Sequence, residues 1–122
     1  MSKKKKLVIV ITRGLDDERS SVAWSIAMSG IAMGLEVSIF LVSSGGDWAR
    51  KGAADNVHLN PADPPVKDMI QNVIESGSKI SLCPPCAKMR GYEKEDLIQG
   101  VEIVGSTAVH APILDGAATL TF

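Results

Sequence analysis

The chain has 122 residues, 45% of them apolar, with 13 Lys and Arg against 14 Asp and Glu, two cysteines and two histidines. That length suits one domain of the usual size, about 100–150 residues, and the composition excludes a disordered or low-complexity tail. No apolar run approaches the roughly 18–20 residues that cross a bilayer, two cysteines cannot form the disulfide framework of a small secreted domain, and a net charge of −1 gives no electrostatic footprint for nucleic acid.

Lys3 to Lys6 form a basic lead-in over residues 1–6. The apolar run behind it, Leu7 to Ile11, is shorter than the roughly 7–15 residues of a secretory core, so the expectation is a cytoplasmic protein whose first strand follows a solvated leader. Setting those four lysines aside leaves 9 positive residues against 14 negative, a mildly acidic body. Leu7 to Ile11 is continuously apolar and rich in β-branched residues, the pattern of a strand covered on both faces. Asp16 or Asp17 is placed to cap a helix running to about Met33 and ending at Gly34. Its small residues, Ala23, Ala27 and Gly30, permit close packing on a sheet or on another subunit. Leu35 to Val42 is the second strand.

Ser43-Ser44-Gly45-Gly46 then breaks the pattern, and residues 43–65 are read as a long loop with a short helix near Asp47 to Lys51. Loops of this length serve as lids or partner-contacting segments. Val66, Met69, Ile70, Val73 and Ile74 follow helical spacing up to Gly77, and Lys79 to Leu82 is a third strand. Helical turns are predicted over Pro84 to Met89 and Glu93 to Gln99, each closed by a glycine. A strand at Val101 to Val104, a helix over Ser106 to Asp115 interrupted near Pro112, and a last strand from Ala118 complete the chain. Strands alternating with helices imply right-handed crossovers and a mostly parallel sheet covered on both faces. The fold class is therefore α/β, one domain over 1–122.

Cys83-Pro84-Pro85-Cys86 is the strongest candidate site. It lies where a strand gives way to a helix, at the carboxyl edge of the sheet, where open α/β sheets place their sites. Pro84 suits the first helical position and makes Cys83 the cap, where exposed amides and the helix dipole are expected to favour a thiolate. Lys79, Lys88, Arg90 and Lys94 stand there against Glu93 alone, a local positive balance that fits a nucleophilic cysteine. The pair also admits a zinc half-site completed by His58, His110 or another subunit, a thioredoxin-like dithiol, or two inert apolar cysteines. Thr12-Arg13-Gly14-Leu15-Asp16-Asp17 lacks the glycine-rich phosphate pattern and reads as helix capping. The long loop leaves strand two on the same edge as Cys83, so it is placed to wall the thiol site. His58 reads as a solvated loop residue and His110 as structural.

On these residues the chain resembles the DsrE/DsrF-like sulfur-relay family, which includes the TusD-type proteins. The resemblance is carried by Leu7 to Thr12 with the alanine-rich helix and Gly34-Leu35-Glu36-Val37, by Ile80 to Gly91, by Asp96 to Val101, and by Thr119 to Phe122. It implies a small three-layer α/β sandwich with a sheet of about five strands, a flavodoxin-like variant, in a cytoplasmic homo-oligomer, trimer or hexamer. It also implies sulfur relay as a persulfide on Cys83, which matches the family's cysteine ahead of the Arg-Gly pair, with sulfur donor and acceptor proteins as partners. Lys88 and Arg90 are candidate electrostatic support for that thiolate. No cofactor or metal is expected. Cys86 complicates a pure carrier, because a second thiol can attack the inner sulfur of a persulfide and expel sulfide. The alternatives are a dithiol–disulfide oxidoreductase using Cys83 and Cys86, and a non-catalytic oligomeric binding subunit.

Overall fold

The computed structural model describes residues 4–122; Lys3 of the lead-in lies outside them. Five strands, β1 (Lys6–Ile11), β2 (Glu36–Leu41), β3 (Lys79–Leu82), β4 (Val101–Ile103) and β5 (Ala118–Thr121), alternate with four helices, α1 (Glu18–Ala32), α2 (Val66–Glu75), α3 (Pro84–Arg90) and α4 (Thr107–Leu114). The sheet has the order β4-β3-β2-β1-β5, and every neighbouring pair is parallel. The expected α/β architecture and strand number are found, and the sheet is parallel throughout.

The register explains the core. Ile9 pairs with Ile39 and Ile39 with Ile80, a row of three side chains no more than 2% exposed. Burying a side chain of this size contributes about 1.5–3 kcal/mol. Alternation sends Leu7, Ile9, Ile11, Val37, Ile39, Leu41, Ile80 and Leu82 to one face, where they share a single cluster with α1 and α2. On α2 the buried residues are Val66, Met69, Ile70 and Val73, the stripe that helical spacing predicts. Gly30 lets α1 lie close to the sheet, because a Cβ there would stand 3.3 Å from Val37 Cγ2. Asp17 caps α1 by accepting from the Arg19 amide at 2.9 Å. Arg19's guanidinium hydrogen bonds, with that amide, hold the Asp17 carboxyl down to about 2.

Val8 and Phe40 point to the opposite face and are also buried. The first three crossovers all step the same way along the sheet; only the last reverses, so α4 crosses the second face. That layer is thin: α4 buries no residue and all of β5 is exposed.

Most ends shift from the sequence reading by a residue, and α4 is not interrupted near Pro112 but runs through it. The basic lead-in ends one residue early, because Lys6 opens β1 and pairs with Asp115 and Glu36. The helical turn expected over Glu93 to Gln99 shrinks to a 3-10 turn, Lys94–Asp96, closed by reciprocal Glu93 and Asp96 side-chain bonds. The long loop opens with a 3-10 helix, Ser43–Ala49, four residues earlier than expected. It is not a lid: Trp48, Ala49 and Ala54 belong to the core.

Candidate functional site

β3 ends at Leu82, and the chain turns at once into α3. The Cys83 amide still donates to the Leu41 carbonyl of β2 at 3.0 Å, so Cys83 is the last residue tied to the sheet. Its backbone is extended (φ −55°, ψ 126°) and it caps α3, with the prolines following at the first helical positions. Both cysteines are free and half-buried.

The prolines alter the electrostatics expected from sequence. A helix start normally presents four unpaired N–H groups. Pro84 and Pro85 remove two of them, and the Cys83 amide is taken by the Leu41 carbonyl at 3.0 Å. Only the Cys86 amide remains, and it lowers the Cys83 pKa in part. Burial acts more strongly in the other direction, and the neighbouring Cys86 side chain adds to it, so the Cys83 thiol lies above its ordinary value. The expectation that helix amides favour a Cys83 thiolate is corrected for that reason.

Cys86 is held from outside its helix. The Ser43 amide donates to Cys86 Sγ at 3.1 Å. Ser43 has φ 56°, the only positive φ of a non-glycine among the described residues, a conformation that serine rarely adopts. The turn around it is fixed by Val42 N–H on the Ile11 carbonyl and by Gly45 N–H shared between Thr12 and Val42 carbonyls. Gly46 completes the wall, since a Cβ there would stand 3.0 Å from Leu82 Cδ1 and 3.8 Å from Cys86 Cβ. The start of the long loop thus does wall the thiols, through backbone rather than side chains.

One cluster missed by the sequence reading fixes α3 against this wall. Asp47 accepts from Arg90 Nε at 3.0 Å and from the Tyr92 hydroxyl at 2.7 Å. The Arg90 side chain is 16% exposed, and its guanidinium also donates to the Cys86 carbonyl at 3.4 Å. The charge of Arg90 is therefore paired with a carboxylate 43 residues earlier, and its evident work is to hold α3 in place. Burial and the Asp47 hydrogen bond raise the Tyr92 pKa. Cys86 and Arg90 share a helix face at four-residue spacing. Lys88 projects to the other side, lining a groove with Pro84, Ala87, Tyr92 and Ile103.

The histidines do not join the cysteines. His58 Nε2 bonds the Asp63 carbonyl at 2.7 Å within its own loop, and His110 is exposed on α4. Among the described residues no three His, Cys, Asp or Glu side chains converge as a ligand set, so neither histidine completes a zinc site with the cysteines of the same chain. The Thr12–Asp17 segment caps α1 as read, with the Ser20 hydroxyl donating to the Arg13 and Gly14 carbonyls at 2.7 and 3.0 Å.

Comparison with known proteins agrees with this picture. The model of the DsrE/DsrF-like family matches residues 4–122. An uncharacterized protein of Methanocaldococcus jannaschii is 31% identical over 119 residues, covering 96% of this chain and 99% of its own. One from Methanopyrus kandleri is 33% identical over 97 residues, 79% of this chain and 75% of its own. Among solved structures, the YchN protein of E. coli superposes with a TM-score of 0.79 at 20% identity, covering 98% of this chain and all of that one. A protein of unknown function from Methanobacterium thermoautotrophicum gives 0.72 at 20% identity, again over 98% of this chain and all of the other. At that identity the likeness establishes the fold. Among the described residues no helix is long and apolar enough to cross a membrane.

Proposed function

Since the chain belongs to the DsrE/DsrF-like family, we propose that it relays sulfur as a persulfide on Cys83. The observation that carries this reading is the half-buried Cys83–Cys86 pair at the carboxyl end of β3. The Cys83 sulfur, deprotonated for attack, bonds to the outer sulfur of a donor persulfide; the donor leaves as its thiolate and Cys83 keeps a two-sulfur chain. Transfer then follows by attack of an acceptor thiolate on that outer sulfur. Arg90 serves by positioning α3, and Lys88 offers a charge on the side away from Cys86.

Mass spectrometry after exposure to a persulfide donor tests this. A one-sulfur adduct, or the sulfide and disulfide that follow from it, is expected on wild type and neither on Cys83→Ser; the same products on both, or none on either, end the reading. Loading has a pH signature as well. Because burial raises the Cys83 pKa, the thiolate fraction, and with it the initial loading rate, should still be rising at pH 9, where an ordinary cysteine is already more than half ionised.

A second reading, a dithiol–disulfide oxidoreductase, is favoured by the placing of two free cysteines three residues apart at the start of α3. It requires both cysteines in every turnover. Homo-oligomerisation is supported by the thin second layer, where Ile113, Leu114 and Leu120 stay 41–89% exposed. Light scattering should then report a trimer or hexamer of the 12.9 kDa chain, and a monomer would remove this part of the proposal.

A further inference from the structure

We infer that sulfur held on Cys83 and not collected by an acceptor is discharged by Cys86 as hydrosulfide, leaving a Cys83–Cys86 disulfide that an external dithiol reduces. This rests on the reading above that Cys83 takes up sulfur, and it names a second fate for that sulfur at the same site.

Cys83 caps α3 and Cys86 lies three residues on, in its first turn, so the sulfur that must attack stands in the same turn as its target. Residues 84 and 85 are helical, which sets the Cα atoms of Cys83 and Cys86 about 5 Å apart by helix geometry, within the span a disulfide bridges. At that Cα separation a disulfide can close within the turn. Cys86 is also the sulfur that receives a donor from another element. Ser43 adopts its left-handed conformation (φ 56°) where its amide meets Cys86 Sγ at 3.1 Å. A pure carrier needs no such fixture, because its second cysteine has no step to perform. A resolving thiol does need one, because attack on a disulfide-like bond requires the entering sulfur to be held in line.

The leaving groups favour the same outcome. When an acceptor takes the outer sulfur, Cys83 departs as a thiolate, in surroundings where burial disfavours that charge. Attack by Cys86 on the inner sulfur expels hydrosulfide instead, a weaker base and a faster leaving group. In that step the Cys86 thiolate pair forms a bond to Cys83 Sγ, and the bond from Sγ to the outer sulfur breaks with its pair on that sulfur. The protonated outer sulfur leaves as HS⁻. Sulfane sulfur is reduced to sulfide, two cysteine sulfurs are oxidised to the disulfide, and two thiols of a dithiol reductant restore them.

The test loads full-length, reduced protein with glutathione persulfide, removes the excess, and follows sulfide with a selective electrode and protein mass over time. Wild type should release about one sulfide per chain loaded and end as the disulfide, while Cys86→Ser accumulates the one-sulfur adduct and releases sulfide at least about tenfold more slowly. Serine still accepts the Ser43 amide; Cys86→Ala, checked by circular dichroism, serves as a second variant. If wild type keeps its adduct as long as the variants do and frees no sulfide, the inference is overturned while sulfur uptake on Cys83 stands. If neither wild type nor either variant gains sulfur, uptake itself fails and the inference falls with it.

Discussion

Gly45→Ala is expected to destabilise the protein by about 3 kcal/mol or more, read as a lower midpoint in urea unfolding. A Cβ at this position would be driven into the Ile11 carbonyl of β1. Ile11 is fully buried and its carbonyl accepts the Val42 amide at 3.1 Å, so the obstacle is central-strand backbone with nowhere to retreat. Gly46→Ala is the control. Its Cβ would meet the end of the Leu82 side chain and more distantly Cys86 Cβ, atoms that can shift, and about 1 kcal/mol is expected. Equal losses at the two positions would show that the steric reading of Gly45 is wrong. Because Gly45 N–H holds the turn that aims Ser43 at Cys86, Gly45→Ala should also change the alkylation rate of Cys86 in the fraction that stays folded.

Trp48→Ala should cost about 3–5 kcal/mol, a large part of the roughly 5–15 kcal/mol that holds a domain together. The indole is fully buried, and its Nε1–H donates to the Arg13 carbonyl at 3.0 Å. It therefore fastens the 3-10 helix behind the cysteines to the loop after β1. Trp48→Phe keeps most of the apolar contact and loses the hydrogen bond, for about 1–2 kcal/mol; the Arg13 carbonyl still receives the Ser20 hydroxyl. That variant leaves Trp24 as the only tryptophan, which gives a clean fluorescence signal for unfolding. A loss below about 1 kcal/mol for Trp48→Ala would mean the 3-10 helix is fastened by other contacts.

The fold was legible where local pattern and tertiary demand coincide. The run Leu7 to Ile11, the Asp17 cap and the Val66-Met69-Ile70-Val73 stripe each carry their structure in nearest-neighbour spacing, and the observed elements follow them closely. The position of Cys83 at the carboxyl end of a strand was equally plain. The surroundings of the cysteines were not, because they are made by pairs far apart in sequence. Nothing near Arg90 announces that its partner is Asp47, and the charge tally around Cys83 counted as free a cation that is already paired. Only Gly45-Gly46 hinted at a close approach of backbone. The two prolines were legible as a helix start, but their other effect, removal of amide donors, required counting N–H groups one by one.

The way β5 closes the sheet has a practical consequence. The Phe122 amide donates to the Val10 carbonyl at 2.8 Å, and the Phe122 carbonyl receives both the amide and the hydroxyl of Thr12 at 2.6 and 2.7 Å. Thr12 in turn accepts the Gly45 amide, so residue 122 sits one step from the turn that faces the cysteines. A fusion or affinity handle joined after Phe122 would emerge on the edge a protein partner has to reach. One joined ahead of Lys6 departs from the opposite end of β1, about 20 Å away along a six-residue strand. Pull-down and transfer assays on this protein are therefore best made with the handle at the amino end, where the reactive edge stays open.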